Sequence, residues 1–253
     1  MAVCEIHLTA QNSLQKMTSV MALIPEKMEG PFPVLYLLHG LSDDHTAWTR
    51  RTSIERYVGG LPLIVVMPNG ERSWYSDSKS NPSAAFETFI TQDLTGFVDA
   101  TFHTIPKREG RAIAGLSMGG YGAFKLALKH PDLFCAAASF SGALDMQGRI
   151  ETQPPWQQEY KLIFGGNVGG TQDDVLALLE QADRSAMPAL WMCCGDQDFL
   201  VGDNRRAHKY MESLGIPHHY REDAGCAHSW DYWDRVVQDA LAFFKDQLTI
   251  PGQ

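Results

Sequence analysis

The residues able to do chemistry in this chain gather around one serine. Ser117 lies in Gly115-Leu116-Ser117-Met118-Gly119-Gly120, a G-x-S-x-G pattern between the run Arg111 to Ala114 and a stretch with helical spacing. Glycines flank the serine because a tight strand-to-helix turn leaves no room for side chains beside it. Such a turn exposes the hydroxyl, and the helix that follows aims its N-terminal amides at negative charge developing there. A serine hydroxyl is a poor nucleophile until a base takes its proton, and an imidazole serves best when a carboxylate fixes its tautomer. Acyl transfer is the chemistry these residue types imply.

With this kind of turn, the acid and then the histidine follow the serine along the chain. Gly195-Asp196-Gln197-Asp198-Phe199-Leu200 and Gly225-Cys226-Ala227-His228-Ser229-Trp230 each stand just past an expected strand, where catalytic loops of a parallel sheet belong. His228 is the base candidate. The other histidines fall within strands or helices, or precede Ser117. Both Asp196 and Asp198 stand on the acid loop; Asp198 is favoured, with Asp196 as a turn-stabilising residue. The oxyanion of a tetrahedral intermediate needs amide donors. Met118, directly after the serine, supplies one, and Leu41 in His39-Gly40-Leu41 the other. His39 precedes the serine and is read as an orienting residue.

These loops need elements to hold them. Glu5 to Leu8 and Ser19 to Pro25 read as N-terminal strands. Val34 to Leu38, Leu63 to Met67, Arg111 to Gly115, Ala136 to Phe140, Leu190 to Cys194 and His218 to Glu222 read as further strands, several of them continuous apolar runs suited to a sheet buried on both faces. Helices are expected at Phe86 to Phe102, Gly119 to His130, Asp173 to Gln181, Asp203 to Leu214 and Ser229 to Leu248. Alternating strands and helices imply right-handed crossovers and a mostly parallel, doubly wound α/β sheet with helices on both faces, in a single domain over residues 1–253. Leu144 to Gly170 breaks the pattern with Gln153-Pro154-Pro155-Trp156 and a glycine-rich stretch. It is either a small cap near the site or a surface insertion.

The chain has 253 residues, 44% hydrophobic and 20% charged, enough for one sizeable core. Its formal charge of −9 argues against nucleic acid and anionic membrane as partners, since both need a basic patch. No run approaches the roughly 18 apolar residues of a membrane span. Met1 to Gln11 shows no basic region followed by an apolar run, so a cytoplasmic location is expected. The five cysteines form no C-x-x-C pair; they are expected as reduced thiols without a metal. With this charge a small neutral or cationic substrate is easier to accommodate, an ester given the serine chemistry above, and a homo-oligomer stays open.

At the residues quoted above the chain resembles the esterase D-like branch of the α/β-hydrolases, and most closely the tributyrin esterase family. The matching segments are Tyr36 to Leu41 with Trp48, Met67 to Gly70 with Ser73 to Asp77, Gly115 to Phe124, Cys194 to Leu200 and His228 to Trp233. The resemblance implies an α/β-hydrolase fold and a serine carboxylesterase without metal or cofactor. Its substrates would be short acyl esters, acetyl to butyryl, hydrolysed through an acyl-enzyme on Ser117. Relatives act on feruloyl esters, acetylated sugars and S-formylglutathione, so a thioesterase or a feruloyl or acetylxylan esterase is the alternative. The resemblance also favours Asp198, which directly precedes a Phe-Leu pair, and makes Trp230 a wall of the acyl pocket. In the loop Arg72 to Ser80, Trp74 and Tyr75 are read as cleft walls, with a core anchor as the alternative for Trp74; Trp48 is read as either.

Overall fold

A computed structural model describes residues 1–152 and 156–250. Its eight strands are β1 (Ala2–Ala10), β2 (Lys16–Ile24), β3 (Val34–Leu38), β4 (Ile64–Pro68), β5 (Arg111–Leu116), β6 (Ala136–Phe140), β7 (Ala189–Gly195) and β8 (His219–Asp223). They form one sheet in the order β1-β2-β4-β3-β5-β6-β7-β8. The first two strands join antiparallel, and β3 to β8 run parallel.

Burial explains the sequence patterns. Every residue of β3, β4, β5 and β6 is buried, because helices cover both faces of the sheet there. The edge strand β1 alternates, with Val3, Glu5 and His7 turned to solvent. The apolar side chains divide into two clusters, one on each face. Tyr36, Ile113 and Phe124 belong to the first, and Leu35, Ala114 and Phe244 to the second.

The helices are α1 (Ala47–Arg51), α2 (Ile54–Val58), α3 (Phe86–Thr88), α4 (Thr95–Thr101), α5 (Met118–Lys129), α6 (Met146–Thr152), α7 (Gln157–Phe164), α8 (Val175–Gln181), α9 (Val201–Ser213) and α10 (Trp230–Gln247). A π-helical stretch, Phe89–Leu94, joins α3 to α4, so the helix expected over Phe86 to Phe102 is one run with a widened middle. Two short helices, α1 and α2, escape sequence reading because five residues carry too little periodicity. Residues 144–170 contain α6 and α7, which their prolines and glycines conceal in the sequence. Gln153, Pro154 and Pro155 lie outside the described residues.

From β3 the chain crosses to β4 on one side and then to β5 on the other. The sheet order therefore reverses at the carboxyl ends of β3 and β5, which opens a crevice there. His39-Gly40-Leu41 and Ser117 stand at those two ends.

Candidate active site

Ser117 sits between β5 and α5 with φ +54° and ψ −116°, a conformation an L-residue rarely adopts. Its N–H donates to Phe140 O at 2.9 Å, and its carbonyl accepts from Tyr121 N at 3.1 Å and Ala143 N at 3.3 Å. These bonds hold the turn. The flanking glycines are required by contact: a Cβ on Gly115 would stand 2.4 Å from Gly119 O. One on Gly119 would stand 2.7 Å from the carbonyl oxygens of both Leu38 and His39. The elbow is thereby pressed onto the end of β3.

His228 Nε2 lies 3.1 Å from Ser117 Oγ, and its Nδ1 lies 2.8 and 3.0 Å from the two carboxylate oxygens of Asp198. Asp198 is buried and also accepts from Leu200 N at 2.8 Å. Burial pushes its carboxyl upward, but the hydrogen bond and charge of His228, with the amide of Leu200, outweigh this and hold it below the usual carboxylate range. An ionised Asp198 places the proton on His228 Nδ1. The lone pair on Nε2 then faces the serine. Two rings fix the imidazole: Phe199 lies 4.4 Å from it and Trp233 meets it edge-on at 4.8 Å. Asp196 instead accepts from Gly225 N at 2.8 Å, tying the acid loop to the histidine loop.

Gly40 borders the nucleophile, since a Cβ there would stand 2.7 Å from Leu116 Cδ1 and 3.7 Å from Ser117 Cβ. Leu41 lines the cleft. Met118 opens α5, so its amide is at the positive end of that helix. His39 is buried behind this loop. It donates from Nδ1 to Gly40 O at 2.7 Å and accepts at Nε2 from Gly70 N at 2.8 Å, and burial lowers its pKa. A neutral imidazole with both nitrogens bound acts as a strut, which is the orienting part its sequence position suggests.

A cavity of about 620 Å³ opens over Ser117 and His228, within the usual range for small-molecule sites. Trp74 and Trp230 line it, as do Arg149 of α6, Tyr160 of α7, and Trp156 and Phe199. Trp48 and Tyr75 do not line it, which decides the open reading of Trp48 for the core and corrects that of Tyr75 as a cleft wall. Trp48 is fully buried, donates from Nε1 to Leu38 O at 3.0 Å, and backs the ring of Trp230 edge-on at 5.2 Å. Tyr75 is also fully buried and donates its hydroxyl to His39 O at 3.0 Å, bracing the loop from below. Trp74 is both things at once, 2% exposed yet bordering the cavity. Sequence reading does not assign Arg149, Tyr160 and Phe199 to the cleft. Phe199 had a signal in its place beside Asp198, and Arg149 and Tyr160 lay inside the irregular stretch.

Among the described residues, no group of three or more His, Cys, Asp or Glu could hold a metal ion. None of the described helices is long and apolar enough to cross a membrane.

The Esterase family model matches residues 11–244. An acetyl esterase of Caldicellulosiruptor saccharolyticus is 29% identical over 265 residues, covering 97% of this chain and 98% of that protein. Among solved structures, the fluorophosphonate-binding serine hydrolase FphF of Staphylococcus aureus superposes with a TM-score of 0.87 at 30% identity, covering 96% of this chain and 98% of the other. The S-formylglutathione hydrolase FrmB of Staphylococcus aureus does so with a TM-score of 0.84, at the same identity and coverage. The mostly parallel sheet of this chain, with helices on both faces, is an α/β-hydrolase fold.

Proposed function

We propose that this chain, which belongs to the Esterase family and is a serine esterase, hydrolyses short acyl esters, acetyl to butyryl, through an acyl-enzyme on Ser117. The observation that carries this reading is the line from Asp198 through His228 to Ser117, with contacts of 2.8 and 3.1 Å, at the floor of the cavity.

In this mechanism Ser117 Oγ attacks the ester carbonyl as His228 Nε2 takes its proton. Asp198 holds the imidazole's tautomer and stabilises the imidazolium that forms. The amides of Leu41 and Met118 bind the oxyanion of the tetrahedral intermediate. Collapse breaks the bond to the alcohol oxygen, which leaves with the proton from His228. Water then attacks the acyl-serine by the same route in reverse, releasing the acid and restoring the serine. Trp74 and Trp230 wall the cleft, and α6 and α7 cap it. The name of the acetyl esterase relative supports a short acyl chain.

The similarity to FrmB supports a second reading, a thioester of the S-formylglutathione kind as substrate. The five free thiols support a reducing, cytoplasmic setting. Rates for p-nitrophenyl acetate, butyrate and octanoate, compared with S-formylglutathione, separate the readings. The ester reading requires the highest kcat/KM with acetate or butyrate and loss of turnover in Ser117→Ala. A higher kcat/KM for the thioester, or turnover surviving in Ser117→Ala, would overturn it.

A further inference from the structure

Lys125 is fully buried on α5, and the mechanism above gives its ammonium no task. Glu87 and Asp173 offset its charge at 3.4 Å each. Its nearest partners belong to the segment that follows β4: Nζ donates to Tyr75 O at 2.8 Å and to Ser76 Oγ. That segment is strained. Trp74 and Tyr75 take φ of +55° and +51° in succession, in the left-handed region that bulky residues rarely occupy. Strain of this kind persists only where surrounding contacts impose it, and it gathers at functional sites. The Lys125 ammonium is one such contact, because it caps the carbonyl of the second strained residue.

The strained turn reaches the oxyanion loop. Tyr75 lays its ring on α5 at Gly122, where a Cβ would stand 2.5 Å from Tyr75 Cδ2, and against Gly70, where one would stand 2.4 Å from Cε1. Its hydroxyl, so placed, donates to His39 O at 3.0 Å. In a planar trans peptide the C=O and the N–H point in opposite directions. A bound carbonyl therefore fixes where the next residue's amide points. Tyr75 fixes the His39-Gly40 peptide in this way, and His39 Nδ1, donating to Gly40 O at 2.7 Å, fixes the Gly40-Leu41 peptide and with it the Leu41 N–H. His39 is seated in turn by Gly70 N at 2.8 Å, and Gly70 O accepts from Ser73 Oγ at 2.6 Å, which ties the support back to the strained turn.

Met118, Gly122 and Lys125 fall at i, i+4 and i+7 on one face of α5. We propose that Tyr75, held by Lys125, is a positioning residue for the oxyanion hole: it ties the Leu41 amide to the helix that carries the Met118 amide, so the two donors keep a fixed separation as charge develops between them. Donors preset in this way need no reorganisation in the transition state. The proposal rests on the esterase reading above, with Leu41 and Met118 as the oxyanion donors.

Tyr75→Phe tests it with least disturbance, since the ring stays between Gly70 and Gly122 and only the bond to His39 O is lost. Acylation and deacylation both pass through an oxyanion, so kcat for p-nitrophenyl acetate should fall about ten-fold or more, with KM within about two-fold. Butyl trifluoromethyl ketone reads the same donors without turnover. Ser117 Oγ bonds to its carbonyl carbon, the proton passes to His228 Nε2, and the negative charge rests on the former carbonyl oxygen. Its Ki should rise by the factor lost from kcat/KM. Lys125→Met, which removes the ammonium donors, should also lower kcat, and adding it to Tyr75→Phe should cost little more, since both act along one chain of contacts. A role in stability alone predicts a lower Tm with kcat and Ki of folded Tyr75→Phe unchanged. That result would overturn the proposal, as would losses of kcat that multiply in the double variant, and either would leave Ser117 in its role. Turnover surviving in Ser117→Ala would instead overturn the esterase reading on which the proposal stands.

Discussion

Strain at the nucleophile offers a test that needs no substrate. Ser117 is held at φ +54° and ψ −116°, where its Cβ crowds the neighbouring peptide; such positions cost of order 1–3 kcal/mol. Glycine adopts them freely, at the expense of about 0.5–1 kcal/mol in unfolded-chain entropy relative to alanine. Comparing Ser117→Gly with Ser117→Ala isolates the strain, because both variants lose the hydroxyl and its contact with His228. The backbone bonds to Phe140, Tyr121 and Ala143 persist in each and keep the turn in place. The net expectation is that the glycine variant is more stable than the alanine variant by about 1 kcal/mol. For a chain this long that corresponds to a rise of about 2–4 °C in Tm. Urea unfolding of the two proteins, read by tryptophan fluorescence and checked for equal denaturant slopes, measures the difference. If glycine at 117 is the less stable by the ordinary ~1 kcal/mol of a Gly-for-Ala exchange, the turn is not strained and the argument fails.

Other expectations follow from the same contacts. Asp198→Asn should lower kcat by roughly 10³- to 10⁴-fold with KM within a few-fold, because the amide no longer selects the productive tautomer of His228; steady-state kinetics on p-nitrophenyl acetate decide it. Trp48→Phe removes the bond to Leu38 O and should cost about 1–3 kcal/mol of stability while KM stays near wild type, whereas Trp230→Ala should raise KM. The opposite pattern would return Trp48 to the cleft. Gly119→Ala forces a Cβ against two backbone oxygens and should destabilise by about 1–3 kcal/mol with a drop in kcat as the loop at Gly40 is pushed off the serine. Acid stability should follow Glu87. Burial raises its pKa, but His130, Lys125 and Lys129 at 2.9, 3.4 and 2.8 Å outweigh that and hold it well below 4.5. A depressed folded-state value means that the stabilisation is full above pH 4.5 and is lost as pH falls toward the folded value. Glu87→Gln should therefore cost about 3 kcal/mol near pH 7, and its gap from wild type should narrow progressively as pH falls below 4.5 in chemical denaturation.

The fold class was legible because parallel strands covered on both faces leave unbroken apolar runs such as Val34–Leu38 and Ala136–Phe140. The G-x-S-x-G turn was legible for a similar reason: its glycines answer to neighbours within a few residues or to the one strand beside them. Irregular composition hid α6 and α7, whose helical periodicity is too short and too interrupted to register. What sequence alone could not apportion was the tryptophans. Trp48 and Trp230 are the same residue type in comparable segments, and they touch each other, yet one backs the cleft and the other lines it.

By itself, then, the sequence determined the chemistry available and the order of the loops that carry it, because both depend on local backbone geometry and on the direction of crossovers. Only the tertiary structure decided which carboxylate meets His228, which aromatic rings face the cavity, and that Arg149 and Phe199 border it. Those outcomes turn on contacts between segments far apart in the chain, where a side chain's surroundings are set by packing and not by its neighbours in sequence.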